Sequence, residues 1–540
     1  MKLSDYIVNY LYSRGIKDFF GYQGTMIAHF IDSIGKNKNV NNHVCYNEQG
    51  AALSAVGYAK TTGNLSCAYA TSGPGATNLV TGIADAYYDS VPVLFITGQL
   101  NSYEYTDNNS IRQQGFQEAD IVSIVKPIVK YAVHITKANK IVEELEKAIY
   151  IALNGRQGPV LLDIPMDIQR ADINIEKMEH FIPLRIQPIN YNEIAKNILN
   201  EIDKSQRPLL LLGNGIKKND EIVKLVEGLK IPVIYSMLAK SLLPYNNKYN
   251  FGFMGSAYGQ RYSNIIGDRK ADLIISLGCR MCSRTIGFKK EEFNKKAKII
   301  RVDIDKNELK SNIHSEEIKY NCDANILIKE MNNLLKKHLI STKTEWLSVC
   351  NEIKNKLENL DKNKPEFLPN IYIDMISNYL PNKTNIFVDV GQNQIWAAHS
   401  IKLKKEQKII FSGGLGAMGF ALPAAIGGTI ATKNKAIVIA GDGGLQMNIQ
   451  ELQTVKVENL PITIFVFNNE SLGLIHQQQC DFFENKYYGS CNIGGYEAPD
   501  FSNIARAYGI EAFMVKSITE LQKILQKHDF LKPTLIEIKL

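Results

Sequence analysis

The stretch that decides the fold is AIVIAGDGGLQMNIQELQTV, residues 436–455, in which an apolar run leads into a Gly-Asp-Gly-Gly loop and a helix-like segment. The run predicts a buried strand of a parallel sheet. Glycines allow backbone N–H groups to approach a phosphate, and the N-terminus of the following helix favours negative charge. Asp442 complicates this interpretation, because its carboxylate would repel a diphosphate unless a divalent cation lay between them.

A second oxygen ligand for that cation is expected at the end of a neighbouring strand. The segment PITIFVFNNESLG, residues 461–473, places Asn469 directly after an apolar run, one helix and one strand beyond Asp442. Both side chains would then emerge at the carboxyl edge of one sheet, where Mg²⁺ combines one or two protein oxygens with phosphate oxygens. The alternative is that Asp442 caps a helix and Asn469 serves a turn.

Composition excludes several classes of protein. The chain has 540 residues, 45% hydrophobic and 22% charged, with a net charge of +7, which is typical of a globular protein of several domains. The lysines form no basic stripe with interleaved aromatics, so nucleic-acid binding is not expected. Cys279 and Cys282 form a lone CxxC, and neither a signal peptide nor a membrane span is evident. We therefore expect a cytoplasmic protein with reduced thiols.

Apolar runs alternate with helix-period segments along the chain, which indicates an α/β fold of three doubly wound parallel-sheet domains. The first domain is expected at residues 1–180, a central nucleotide-type domain at 190–335 and the last at 365–540. The first and last share a similar rhythm without a strict repeat. In the central domain the LGNG turn suits a nucleotide, although a plain strand-to-helix turn explains it equally well.

The pairing of GDG with a run that ends in NN resembles the motif of thiamine-diphosphate enzymes. Segments along the whole chain, among them GYQGTMI (21–27), YNEQGAALSAVGYAK (46–60) and SGGLGAMGFALPAAIG (412–427), are similar to the catalytic subunit of acetohydroxyacid (acetolactate) synthase. The resemblance implies the thiamine-diphosphate-binding fold, bound thiamine diphosphate and Mg²⁺, and transfer of a two-carbon unit from a 2-oxo acid.

Glu48 precedes a small, apolar helix, so we expect it to be enclosed and the pKa of its carboxyl group to be raised. A plain helix N-terminal acid is the alternative. By resemblance, Glu48 hydrogen-bonds the aminopyrimidine ring of thiamine diphosphate and drives formation of the imino tautomer that deprotonates the thiazolium carbon. The resemblance also places Gly24, Phe116 and Gln117 in the substrate pocket.

The resemblance assigns the diphosphate and the metal to the last domain. Asp442, Asn469 and the main-chain carbonyl of Ser471 would bind Mg²⁺, and Met418 would hold the cofactor in its bent shape. Asn393 stands where the synthases usually have His. The positions expected around thiamine diphosphate are Val390, Gly391, Gln392, Asn393, Gly416, Met418, Gly441, Asp442, Gly443, Gly444, Asn469, Ser471, Leu472 and Gly473.

Three substrate-pocket positions depart from the synthase pattern. Met166 replaces a Lys, Gln478 replaces a Trp tied to preference for 2-oxobutyrate, and Thr25 replaces a Gly. These exchanges alter the acceptor pocket, so the acceptor stays open. We expect decarboxylation of a 2-oxo acid, pyruvate first, and transfer to a second pyruvate, an aldehyde or a keto-sugar. A simple decarboxylase and an oxidase passing electrons to flavin are the alternatives within enzymes.

Some members of the resembled family bind FAD without using it in catalysis. Their RFDDR stretch corresponds to Arg280–Arg284, where both arginines are kept and the aspartates are lost. Arginines suit phosphates, but surface ion pairs explain them as well, so FAD is left open. The candidate flavin contacts are Arg156, Gly213, Gly215, Arg280, Arg284, Asp303 and Asp323.

The resemblance also implies a homodimer or homotetramer, because in the family the glutamate of one subunit meets the diphosphate site of another. The expected partners are a small 2-oxo acid and a carbonyl acceptor, with no nucleic acid and no membrane. Two other classes compete: an idle scaffold of the same fold, against which the intact Glu48, Asp442 and Asn469 argue, and a nicotinamide dehydrogenase, which lacks a proper fingerprint loop.

Overall fold

The computed structural model describes residues 1–105, 111–183, 187–315, 317–337, 340–362 and 368–540. It contains three six-stranded sheets whose strands are joined by helices, with parallel pairing of neighbouring strands. The predicted α/β class with three parallel sheets is confirmed. Strands buried on both faces explain the near-continuous apolar runs in the sequence.

The first sheet has the strand order β2-β1-β3-β4-β6-β5. Its strands are β1 Asp18–Gly21, β2 Asn41–Val44, β3 Ser66–Ala70, β4 Val93–Gln99, β5 Tyr131–His134 and β6 Val160–Pro165. Its helices are α1 Leu3–Ser13, α2 Ala28–Lys36, α3 Glu48–Thr62, α4 Pro74–Asn78, α5 Val80–Tyr88, α6 Ile121–Val125, α7 Ile141–Leu153 and α8 Met166–Arg170.

The second sheet has the order β12-β11-β10-β7-β8-β9. Its strands are β7 Pro208–Leu212, β8 Val233–Tyr235, β9 Asn250–Phe253, β10 Leu273–Leu277, β11 Lys298–Asp303 and β12 Glu317–Asn321. The helices of this part of the chain are α9 Tyr191–Lys204, α10 Asp220–Leu229, α11 Arg261–Ile265, α12 Ser283–Ile286, α13 Ala324–Leu335, α14 Thr344–Lys362 and α15 Leu368–Tyr379.

The third sheet has the order β14-β13-β15-β16-β18-β17, which repeats the order of the first. Its strands are β13 Thr384–Val388, β14 Lys408–Phe411, β15 Lys435–Gly441, β16 Ile462–Asn468, β17 Glu511–Val515 and β18 Thr534–Lys539. Its helices are α16 Gln392–Ser400, α17 Ala421–Thr432, α18 Asp442–Gln446, α19 Leu452–Val457, α20 Gly473–Phe482, α21 Phe501–Ala507 and α22 Ile518–Leu525.

The chain divides into two compact units. The first comprises Met1–Arg185, Lys383–Gln394 and Ile410–Leu540, and the second comprises Ile186–Asn382 and Ile395–Ile409. None of the helices that the structure describes is both long and apolar enough to cross a membrane.

Helices α3 and α17 cross in the core of the first unit. A Cβ on Gly57 would lie 2.1 Å from the carbonyl oxygen of Ala424, and one on Gly427 would lie 1.8 Å from that of Ser54. Because only hydrogen fits at these two positions, the backbones of the helices can approach closely. This crossing fixes the first and third sheets to each other.

Candidate functional site

The third sheet brings the two predicted metal-binding segments to one edge. Strands β15 and β16 are adjacent and parallel, with Gly441 in register with Phe467, so the residues that follow them emerge side by side. Asp442 begins α18, and the backbone N–H of Ser471 donates to its Oδ2 at 3.1 Å. The loop after β16 is therefore fixed to the carboxylate that follows β15.

The carboxylate of Asp442 is 2% exposed and has no cationic side chain as an ion-pair partner among the described residues. Its Oδ1 accepts from the N–H of Gly443 at 2.7 Å, and the side chain of Tyr496 also hydrogen-bonds it. Burial raises the pKa of Asp442, and these hydrogen bonds offset that effect only in part. A divalent cation would supply the positive charge that this carboxylate lacks.

The other candidate metal ligands are neutral oxygens. The Asn469 Nδ2 group donates to Gln392 Oε1 at 3.4 Å, so Oδ1, at the other end of the amide, is the atom suited to a cation. Within the described ranges, no group of three or more His, Cys, Asp or Glu side chains is arranged to hold a metal. The predicted ligands, one carboxylate, one amide oxygen and the carbonyl of Ser471, would suit Mg²⁺, which takes few protein oxygens when phosphate oxygens complete its coordination.

Two glycines allow the loops around Asp442 to approach closely. A Cβ on Gly443 would lie 2.4 Å from Leu472 Cδ2 and 3.3 Å from Met418 Cε. A Cβ on Gly473 would lie 2.0 Å from Gln392 Oε1. The structure thus gathers these predicted cofactor residues around the start of α18, where close backbone approach suits a diphosphate.

Asp389, directly after β13, organises the neighbouring loops and was not among the predicted residues. Its carboxylate accepts from the N–H groups of Val390, Gly419 and Ala421, each at 2.9 Å. Burial raises its pKa to about 6 despite these three bonds. The only sequence signal for this role was an acid at the end of an apolar strand.

The remaining predicted cofactor residues lie on the same loops. The Asn393 Nδ2 group donates to the carbonyls of Asp389 and Ile439 at 2.8 and 3.3 Å, which holds its side chain against the backbone. Gly391 and Gly416 have φ angles of +146° and +72°, and a Cβ on Gly444 would lie 2.6 Å from Asp389 Oδ1. Gly391 and Gly416 are required for their backbone conformation, and Gly444 is required because a side chain there would collide with Asp389.

Glu48 is the first residue of α3, which joins strands β2 and β3 of the first sheet. Asn47 caps the helix by accepting from the N–H of Gln49 at 2.8 Å, and Glu48 is 8% exposed. Its Oε2 accepts from Asn78 Nδ2 at 2.9 Å, while a Cβ on Gly75 would lie 3.2 Å from Oε1. The enclosed carboxylate expected from the apolar helix is present.

Two of the predicted pocket residues lie near Glu48. A Cβ on Gly24 would lie 2.4 Å from Thr71 Cβ, and Thr71 in turn lies next to Gly75. Gln117 has a φ of +65° and packs against Gly73: a Cβ on Gly73 would lie 3.0 Å from Gln117 Cβ. The loops after β1 and β3 and the Gln117 segment therefore meet beside Glu48.

The other predicted pocket residues have looser surroundings. Phe116 is 79% exposed, Thr25 is exposed at the start of a 3-10 turn, and Met166 is half-buried at the start of α8. Gln478 is exposed on α20, and in the described part of the chain no side-chain hydrogen bond joins it to Glu48 or Asp442. These four side chains face solvent to different degrees, and their place in a substrate pocket stays a prediction.

Glu451 connects the two halves of the unit and was also missed. It is fully buried; Oε1 accepts from the N–H of Tyr46 at 3.0 Å and Oε2 from the hydroxyl of Thr454 at 2.7 Å. Burial raises its pKa to about 7. It lies in the IQELQTV segment that follows the Asp442 loop, and it holds the turn that precedes Glu48.

The candidate flavin residues occur in both units. Gly213, after β7, is packed against Gly278, after β10, at the point where the strand order of the second sheet reverses, which is where nucleotides bind in such sheets. Arg280 Nε lies 2.9 Å from Glu308 Oε1, and Asp323 caps α13. The N–H of Gly215 donates to the carbonyl of Gly278, and the carboxylate of Asp303 accepts from the N–H of Asp305. Arg284 lies in α12. Arg156 lies in the first unit, where its Nε donates to Ser90 Oγ.

Comparison with known families gives the class of protein that this fold and site define. Models of the thiamine pyrophosphate enzymes match three stretches: the N-terminal TPP binding domain at residues 1–124, the central domain at 195–331 and the C-terminal TPP binding domain at 389–538. The Glu48 group falls in the first match and the Asp442 group in the third.

Curated relatives narrow this class. A probable acetolactate synthase large subunit of Methanococcus aeolicus is 34% identical over 98% of this chain and 90% of its own length. Acetolactate synthase isozyme 1 large subunit of Escherichia coli is 34% identical over 97% of this chain and 91% of its own, and the chloroplastic acetolactate synthase of Arabidopsis thaliana is 33% identical over 97% and 79%. The chain belongs to the acetolactate synthase large-subunit family of thiamine-diphosphate-dependent enzymes.

Proposed function

We propose that the protein decarboxylates pyruvate and transfers the two-carbon unit to a second pyruvate, as the names of its relatives indicate. The observation that carries the proposal is the buried carboxylate of Asp442, held beside Asn469 and Ser471 on an edge shared by two strands. Thiamine diphosphate, when bound, supplies the carbanion chemistry of the reaction.

The residues of the Asp442 group would bind and orient the cofactor. Asp442, the Asn469 amide oxygen and the Ser471 carbonyl would hold Mg²⁺ against the diphosphate, and the loops fixed by Asp389 would surround it. Met418 Cε, beside Gly443, would support the cofactor. The remaining predicted contacts on these loops belong to the same proposal.

Glu48 would act on a proton. Its enclosed carboxyl oxygen would share a proton with a pyrimidine nitrogen of the cofactor, and Asn78 would orient that carboxyl group. Gly24, Phe116 and Gln117, together with Thr25, Met166 and Gln478, would line the path of the 2-oxo acid and the acceptor.

The direct test is to incubate the protein with pyruvate, thiamine diphosphate and Mg²⁺ and to analyse the products by mass spectrometry. We expect acetolactate. Acetaldehyde would indicate a simple decarboxylase, and acetate with peroxide an oxidase. Added aldehydes or keto-sugars should not divert the two-carbon unit from pyruvate. Glu48→Gln should reduce turnover by at least about a hundredfold, whereas Glu484→Gln, at an exposed glutamate, should leave it unchanged.

The active unit is proposed to be a homodimer or a dimer of dimers, in which Glu48 of one subunit meets the Asp442 site of another. Mixing inactive Glu48→Gln and Asp442→Asn subunits tests this arrangement. Random exchange would give mixed dimers with one intact site each, and about a quarter of the wild-type activity would return. If each subunit held a complete site of its own, mixing would restore nothing.

The finer assignments are proposed with this function. FAD is proposed at the reversal point of the second sheet, supported by the close packing of Gly213 against Gly278; a yellow purified protein with a flavin spectrum tests it. The domain limits 1–180, 190–335 and 365–540 belong to the same proposal, and the order of the three family matches supports them. The cytoplasmic location stays a prediction, which fractionation of cells would test.

A further inference from the structure

A cleft of about 900 Å³ lies within the second unit, and its lining takes no part in the function proposed above. It is bordered by β8, the 3-10 turn Met237–Leu242, α11, α14 and the second half of α16. Its size is that of a small-molecule site.

Lys240, on the 3-10 turn, lines this cleft and is 7% exposed. Its ammonium group forms neither a hydrogen bond nor an ion pair with the residues that the structure describes. Burial, reinforced by the positive charge of Lys354, lowers the pKa of Lys240 to about 7. Because a buried cation without a counter-charge is costly, an anion would be bound here with a gain in free energy.

The other charges at the cleft are already compensated. Arg261 and Asp361 form an ion pair of 2.6 Å, and Lys402 and Asp374 form one of 2.5 Å. Counting all lining residues gives four Lys or Arg side chains against three carboxylates. When Lys240 is protonated, the form that a bound anion favours, the surplus is one positive charge, and Lys240 carries it.

The groups nearest to Lys240 do not neutralise it. Lys354 donates to the carbonyl of Asn250 at 3.1 Å, and its ammonium lies 5.7 Å from the ring centroids of Phe251 and Tyr262. It is also attracted to Glu358, which hydrogen-bonds Tyr262. His399 donates from Nε2 to the carbonyl of Tyr258 at 2.8 Å. Burial, together with Lys240, lowers the pKa of His399, so it stays neutral at physiological pH.

We propose that the cleft binds a small organic monocarboxylate, with its carboxylate paired to the ammonium of Lys240 and its apolar body against Tyr235, Tyr262 and Trp396. Each of these aromatic side chains lines the cleft, and the hydroxyls of the two tyrosines are held by Asn250 and Glu358. Such fixed aromatic faces offer apolar contact at low entropic cost. A phosphate ester, with nearly two negative charges, would exceed the single surplus cation.

The test uses the holoenzyme, saturated with thiamine diphosphate and Mg²⁺, and three probes: 3-methylbutanoate, benzoate and the uncharged 3-methylbutanamide. Binding is followed by calorimetry and by tryptophan emission. The chain has two tryptophans, and Trp346 is 3% exposed with its N–H bonded to the carbonyl of Pro208, so Trp396 reports on the cleft. We expect both acids to bind and to change the emission, and the amide to bind at least about tenfold more weakly.

Two variants locate the carboxylate. Lys240→Met should weaken binding of the acids at least about tenfold, and Lys402→Met, which removes a lysine already paired with Asp374, should change it less than about twofold. Lys240→Arg keeps a cation and should retain binding. The proposal is overturned if acid and amide bind wild type equally, if Lys240→Met binds the acids as wild type does, or if the acids bind without a change in emission. The comparison of acid with amide needs no variant and so does not depend on one that folds.

Discussion

Replacing Glu451 by Gln should make the protein more stable at high pH and leave its stability nearly unchanged at low pH. Burial raises the pKa of this carboxyl group from its usual 4.5 to about 7. The folded state therefore favours the protonated form, and the free energy of unfolding falls as the pH rises from about 4.5 through 7. At 1.36 kcal/mol for each pKa unit, ionisation in the folded protein costs about 3 kcal/mol above pH 8.

The amide of Gln is neutral at every pH and keeps an oxygen that can accept from the N–H of Tyr46. Its NH₂ group would face Thr454, whose hydroxyl can accept a hydrogen bond and already reaches the carbonyl of Val44. The substitution thus removes the charge while it retains the shape and most of the hydrogen bonds. Solvent does not screen this cost of about 3 kcal/mol, because the side chain is fully buried.

The assay is the unfolding temperature of wild type and Glu451→Gln, measured at one scan rate from pH 5 to pH 8.5. The difference, variant minus wild type, should be smallest at pH 5 and grow to several degrees at pH 8.5. Glu484→Gln, at an exposed position, should show no such trend. A difference that stays constant across this range, or that shrinks as the pH rises, would refute the assignment of a raised pKa to Glu451.

Three further predictions concern the metal site, the helix crossing and a buried histidine. Asp442→Asn should raise the unfolding temperature without Mg²⁺, because a buried charge is removed, yet it should abolish most of the stabilisation that Mg²⁺ and thiamine diphosphate give wild type. Gly57→Ala should lower the free energy of unfolding by more than about 2 kcal/mol, since the methyl group would meet the Ala424 carbonyl, whereas Gly35→Ala, in open space on α2, should not destabilise the protein. Burial lowers the pKa of His43, but its hydrogen bonds to Asp18 and Glu458 raise that pKa by more than burial lowers it. The protonated imidazolium therefore stabilises the folded state fully below pH 6.5, and this stabilisation is lost as the pH rises through the folded pKa. Urea unfolding should consequently show that His43→Gln lowers the free energy of unfolding more at pH 6 than at pH 9.

The sequence predicted the three parallel sheets because each strand is a short apolar run followed by a turn. Residues such as Ala436–Ala440 are buried on both faces, and this leaves a visible signal. The pairing of α3 with α17 left no comparable signal. Small residues in GAALSAVGYA and ALPAAIGGTIA indicate buried helices, but which helix meets which depends on backbone approach at Gly57 and Gly427, far apart in the chain.

In the candidate site, too, contacts between distant segments could not be predicted from the sequence. Asp442 and Asn469 were accessible to sequence reasoning, because each follows a strand directly and the strands are neighbours. Asp389 and Glu451 were not, since their roles are hydrogen bonds to the backbone of distant segments, and backbone donors carry no sequence signal.

The repeated strand order of the first and third sheets gives these separate residues a common explanation. Helix α3 joins β2 to β3 and α17 joins β14 to β15, so the two crossing helices occupy equivalent places in their sheets. Glu48 is the first residue of α3, and the loop with Met418 leads into α17. The group proposed to handle the proton and the group proposed to support the cofactor are therefore attached to corresponding ends of equivalent helices. Since Gly57 and Gly427 lock these helices together, a change at the crossing should disturb both groups at once.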